Sequence, residues 1–139
     1  MTMTNSENVK EFMLVMGQTV KASPELVSDE TASLRLALIE EEFIELQIAI
    51  TEDDLVGVAD ALTDLLYVVY GAAHAYGLDI DACFNEVHTS NMTKIQADGT
   101  VLKNAAGKVI KPPTYRPPNL ESIVYANPST LTAQDVILP

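Results

Sequence analysis

With 139 residues and 47% hydrophobic content, the chain has the length and apolar material of one folded domain and is not a disordered segment. Twenty acidic residues against eight basic ones leave a formal net charge of −12. That balance argues against direct binding to a nucleic-acid backbone or an anionic membrane, and any polyphosphate would have to arrive with metal ions.

Along the chain, a first helix is expected over residues 6–18, where Val9, Phe12, Met13 and Met16 share one face. Ser6 suits the N-cap and Glu7 the positive end of the helix dipole. Ser23-Pro24 marks a loop. A long second helix is expected over residues 29–51, free of internal Gly and Pro, with Leu36, Ile39, Phe43, Leu46 and Ile50 as its apolar stripe. Glu52-Asp53-Asp54 closes it and caps a third helix over residues 54–76, which is apolar nearly all round and so predicts burial on several sides. Gly77 ends that helix. A fourth is expected over residues 79–94, with Ile80, Phe84 and Val87 facing inward and Cys83, the single cysteine, packed as a small hydrophobe.

Beyond Lys94 the character changes. Turn signals at Asp98-Gly99 and Asn104–Gly107 flank residues 100–103 and 108–111, which read as a β-hairpin. Pro112-Pro113-Thr114-Tyr115-Arg116-Pro117-Pro118 reads as an extended, polyproline-like arm. The expected architecture is all-α. A four-helix-bundle-like domain over residues 1–95 precedes a hairpin and Pro-rich tail over residues 96–139 that packs on the bundle or on a neighbouring subunit. The N-terminal residues lack a signal-peptide core, the apolar run 65–73 is too short to span a bilayer, and one cysteine forms no internal disulfide. A soluble, cytoplasmic protein is the expectation.

Glu41, Glu42, Glu45, Asp60 and Asp64 stand at helical spacing within two apolar segments, and no Lys or Arg occurs between Leu36 and Met92. At about 100° per residue, Glu42 and Glu45 fall on the arc of Leu34, Leu38 and Ala49, Glu41 lies at its edge, and Glu40 projects to the polar side. On the third helix, Asp60, Asp64, Tyr67, Gly71 and His74 make one narrow stripe. If the two helices pack antiparallel through these faces, four or five carboxylates converge, and their repulsion calls for a cation. Oxygen-only donors favour a hard ion, Mg²⁺ first with Mn²⁺ as a substitute. The other reading is a solvated acidic strip on a non-enzymatic protein that mimics DNA or inhibits a basic partner. Asn91 and Lys94 continue the inward line of the fourth helix; Lys94 is either a phosphate ligand or a residue favoured by the helix C-terminus. No Glu-x-x-His pair, Gly-rich phosphate loop or Ser-centred elbow occurs, which counts against di-iron, P-loop and serine-hydrolase chemistry.

Arg35-Leu-Ala-Leu-Ile-Glu-Glu-Glu-Phe-Ile-Glu45-Leu, followed by Val58-Ala-Asp-Ala-Leu-Thr-Asp64-Leu-Leu-Tyr-Val-Val-Tyr-Gly71, resembles the all-α nucleoside triphosphate pyrophosphohydrolases. That superfamily includes MazG, the dimeric dUTPases and phosphoribosyl-ATP pyrophosphohydrolase. Its signature is Glu-x-x-Glu, a spacer, and Glu-x-x-Asp. Glu42, Glu45 and Asp64 match it, while the Glu opening the second half falls on Ala61, with Asp60 adjacent. Residues 86–94, the Asp-Gly turn and the Pro-rich tail resemble the small MazG-like subgroup of bacteria and phages, and the likeness covers roughly residues 8–118. The resemblance implies a MazG-type fold and Mg²⁺-dependent hydrolysis of a nucleoside triphosphate, a deoxynucleotide in the first place, to monophosphate and pyrophosphate. It implies a metal site of Glu42, Glu45, Asp64 and Asp60, with Glu41 acting on the attacking water. Gln18, Tyr67, Asn91 and Lys94 would then bind substrate, and the assembly would be a homodimer or homotetramer.

Overall fold

The computed structural model describes residues 2–126. Among them the chain is helical: α1 (Asn5–Val15), α2 (Asp29–Thr51), α3 (Leu55–Tyr76), α4 (Ile80–Met92) and the short α5 (Glu121–Val124). Four main helices and no sheet bear out the all-α expectation. The chain divides into two compact units, one through Ile80 and one from Asp81 onward.

In the first unit, α2 and α3 form an antiparallel helical hairpin, and α1 packs on α3. The register of the hairpin is visible in three layers. A Cβ on Gly57 would lie 3.1 Å from that of Ala49, Glu42 and Asp64 meet in the middle, and Arg35 lies against Gly71. Each step moves seven residues up one helix and seven down the other. α2 keeps the expected bounds, with Ser28 accepting from the Thr31 amide at its start. Its inward face differs from the apolar stripe read in the sequence. Arg35 and Ala49 are buried there, while Leu36, Phe43 and Ile50 are exposed.

The ends follow local chemistry. Thr4, not Ser6, caps α1, in a reciprocal box in which Thr4 Oγ1 accepts from the Glu7 amide at 3.1 Å and the Thr4 amide donates to Glu7 at 2.6 Å. Ser6 instead lies one turn inside, where its carbonyl accepts from His74 Nε2 at 2.8 Å and ties α1 to α3. α1 stops at Val15, short of residue 18, because Gly17 turns left-handed (φ +73°). α3 is capped by Asp54, which accepts from the Gly57 amide at 2.9 Å, and ends at left-handed Gly77.

Burial on several sides of α3 is not what the single chain provides: Leu55 and Val56 are 81% and 80% exposed, and Leu62 and Leu66 are open as well. The buried positions are the small ones, Ala61, Gly71, Ala73 and Ala75. With 22 residues and a mean hydropathy of 1.5, α3 is long and apolar enough to cross a membrane by length and composition. Asp60 and Asp64 lie within it, and carboxylates are costly in a bilayer.

The second unit is built on α4. Ser90 is buried and donates to the Arg116 carbonyl at 2.7 Å, Thr93 Oγ1 accepts from the Arg116 amide at 2.8 Å, and Thr114 donates to the Thr93 carbonyl at 2.9 Å. Glu86 accepts from Arg116 Nη1 at 3.0 Å and from the Asn119 amide at 2.6 Å. The Pro-rich arm thus has its partners on α4 and on Thr93 just past its end. The hairpin is reduced to isolated antiparallel bridges, Lys103 to Val109 and Ile95 to Val101. Its turn is closed by Asn104 Oδ1, which accepts from the amides of Ala106 and Lys108 at 3.0 Å each. A two-stranded ribbon with both faces in solvent has nothing to extend it.

Candidate metal centre

The hairpin register brings Glu42 and Glu45 of α2 opposite Asp64 of α3. One carboxylate oxygen from each lies within 4.8 Å of the other two. Glu42 and Asp64 are half-buried and Glu45 is exposed, so the cluster sits at the mouth of the α2–α3 seam. Neither ion pair among the described residues, Lys21–Glu25 or Arg116–Glu86, touches it.

The electrostatics are those of an uncompensated site. Burial, a hydrogen bond that its protonated form donates to Glu45, and the charges of Glu45, Asp64 and Glu41 push the Glu42 carboxyl up to about 7. Burial, then the charges of Asp60 and Glu45, raise Asp64. Glu42 Oε2 is fully buried with no hydrogen-bond partner. A buried acceptor without a donor is destabilising by roughly 1–3 kcal/mol. An inward oxygen lacking a partner, with two more carboxylates beside it, has the chemistry to hold a divalent cation.

The other residues singled out in the sequence take varied places. Asp60 is exposed one turn before Asp64 and outside the trio, near enough for its charge to act on Asp64. Glu41 is likewise exposed and acts on Glu42 through its charge. Ala61 is buried, so the position of the family Glu points into the helical interface. Tyr67 stacks edge-to-face on Phe12, with centroids 5.6 Å apart, and lines a cavity of about 160 Å³ with Asn5, Asn8, Thr63 and Tyr70. His74 is occupied with Ser6. Gln18 lies just past α1 and accepts from Arg35. Asn91 is exposed on α4, and Lys94 follows it with its Nζ 5.8 Å from the centre of the Tyr115 ring; both are in the second unit.

Arg35 is the residue that sequence reasoning overlooked. It is 7% exposed, and burial lowers its pKa. The signal was its spacing: seven residues before Glu42 is two helical turns on the same face.

A family model described as phosphoribosyl-ATP pyrophosphohydrolase matches residues 9–91, more than half of the chain. No curated protein matches it.

Proposed function

The chain belongs to the phosphoribosyl-ATP pyrophosphohydrolase family, within the MazG-like all-α nucleoside triphosphate pyrophosphohydrolases, and from that premise we propose what it acts on and how. Hydrolysis of a pyrophosphate bond in a nucleotide is the family's chemistry. The proposed reaction takes a nucleoside triphosphate, a deoxynucleotide in the first place, and water to the monophosphate and pyrophosphate. The observation that carries this reading is the trio of Glu42, Glu45 and Asp64, with its buried, unpartnered oxygen.

In this proposal the trio holds Mg²⁺, with Mn²⁺ as a substitute. The ion, when bound, supplies charge neutralisation to the phosphate oxygens. Glu41, on the exposed edge, takes the proton of the attacking water as the bond to the leaving pyrophosphate breaks. Asp60 strengthens the negative field beside Asp64. Asn91, Lys94 and Tyr67 are assigned to phosphate or sugar, and Gln18 to the base.

A homodimer or homotetramer is part of the same proposal. Leu36, Phe43, Ile44, Ile48 and Ile50 on α2 and Leu55, Val56 and Leu62 on α3 are all at least half exposed, and apolar surface on this scale marks an interaction face.

The test is a panel of the common ribo- and deoxyribonucleoside triphosphates with Mg²⁺, scored for pyrophosphate. At least one deoxynucleotide should turn over, and chelation should stop it. A panel with no pyrophosphate from any member would overturn the reading. So would cleavage that releases only inorganic phosphate.

A further inference from the structure

Arg35 is a buried guanidinium that makes no ion pair with a carboxylate among the described residues. Its Nη2 donates to Gln18 Oε1 at 3.1 Å, and its Nε is buried without a partner. Room for it is made at Gly71, where a Cβ would stand 2.8 Å from Nη1, so any side chain there forces the guanidinium to move. Glycine inside a helix is unfavourable by up to about 1 kcal/mol against alanine, and here that cost makes space for the arginine.

Gln18, by contrast, is exposed yet fixed at both main chain and side chain. α1 ends in a Schellman turn: the Gly17 amide donates to the Leu14 carbonyl at 3.2 Å and the Gln18 amide to the Met13 carbonyl at 2.8 Å. Met13 is itself buried, with its sulfur beside Gly71. A guanidinium can only donate, so the end of the Gln18 carboxamide that faces it must be the oxygen. The amino group is thereby turned away from Arg35, carrying two N–H donors.

The Arg35–Gly71 layer is two turns along the seam from the Glu42–Asp64 layer, roughly 10 Å at 1.5 Å per residue. That is the scale separating the phosphates of a nucleotide from its nucleoside. We infer that Arg35 is a positioning residue, holding the Gln18 amino group as an oriented donor to an acceptor atom on the nucleoside half of the substrate. This rests on the proposed function, since it takes the phosphates to lie at the carboxylate trio.

Gln18→Glu is the decisive variant. It keeps an acceptor against Arg35, now as an ion pair, while the outward donors are lost. A purely structural Gln18 predicts unchanged kinetics and equal or higher thermal stability. The inference predicts equal or higher thermal stability together with a KM raised roughly tenfold for the preferred nucleotide, more than kcat falls. Gln18→Met controls for the added charge: it should raise KM similarly, and for both variants the rise must differ between nucleotides. Gly71→Ala should move KM in the same direction through the displaced guanidinium. Lost discrimination among bases at a fixed sugar places the acceptor on the base; lost discrimination between deoxy and ribo forms places it on the sugar. Wild-type KM values in Gln18→Glu, or a rise uniform across the panel, would overturn the inference and leave the pyrophosphohydrolase standing. An inactive natural chain would overturn both.

Discussion

Glu42 faces opposing demands. Folding turns it inward, where water is scarce, and three other acids crowd it. Its folded pKa, about 7, lies above the ordinary 4.5. The folded chain therefore keeps a proton that the unfolded chain releases, and metal-free stability should fall as pH rises from about 4.5 to about 7, then level off. Glu86 and Asp98 have lowered pKa values and work the other way, but only below their ordinary range, so the windows separate. At the proposed centre Mg²⁺ has to displace that proton, so its stabilising effect should grow across the same window. Thermal melts at several pH values, with chelator or with Mg²⁺, check this; a chelated melt that is flat or rises from pH 4.5 to 7 counts against the centre. Glu45→Gln keeps the shape of a ligand but loses its charge, and should lower kcat on the order of 100-fold or more with the fold intact. Glu40→Gln, on an exposed position, should shift stability by no more than about 0.5 kcal/mol and leave turnover alone. Reversed outcomes for the pair would show the helical phase to be wrong. The phase itself was legible because 100° per residue separates Glu40 from Glu42 without any tertiary knowledge. Arg35 was not, because a lone arginine at the edge of an acidic stretch reads as surface until its layer partner, Gly71, is known.

At the scale of elements, punctuation governs. α2 was legible to the residue because Ser28 starts it and three acidic residues end it. α1 was misplaced at both ends. Two candidate caps, Thr4 and Ser6, compete at its start, and the Thr4–Glu7 box wins because it satisfies two orphan donors at once. At its other end, Gly17 outweighs the apolar run Leu14–Met16. The left-handed glycines also divide by environment. Gly99 has φ +85° and nothing near its missing Cβ, so Gly99→Ala should cost about 1–2 kcal/mol of strain at most. Gly77 has φ +70°, and a Cβ there would collide with the Ser23 carbonyl, so Gly77→Ala should cost more, about 2–4 kcal/mol. Urea titrations of both variants check the order, and equal costs would mean that the loop at Ser23 yields freely.

For the whole molecule, the sequence announced α3 as buried on several sides, and one chain buries fully only its small residues. Hydropathy records that a face must be covered, not by what. In the proposed dimer or tetramer, a second copy covers that face. Light scattering should give the mass of a dimer or tetramer, and Ile48→Glu, on an apolar part of α2 that is half exposed, should shift it toward monomer. A natural chain that runs as a monomer at all concentrations would rule this out.

The link between α2 and α3 is three residues long, Glu52 to Asp54, and it carries the left-handed Asp53. Glu42 and Asp64 are therefore neighbours in a local hairpin rather than the product of distant chain segments. Closing so short a loop loses little entropy, and contacts of low sequence separation form early. All three carboxylates of the trio lie within residues 42–64, so they need nothing beyond the hairpin to meet. The ligands of the proposed metal centre are thus all in hand during synthesis as soon as residue 76 is free to fold.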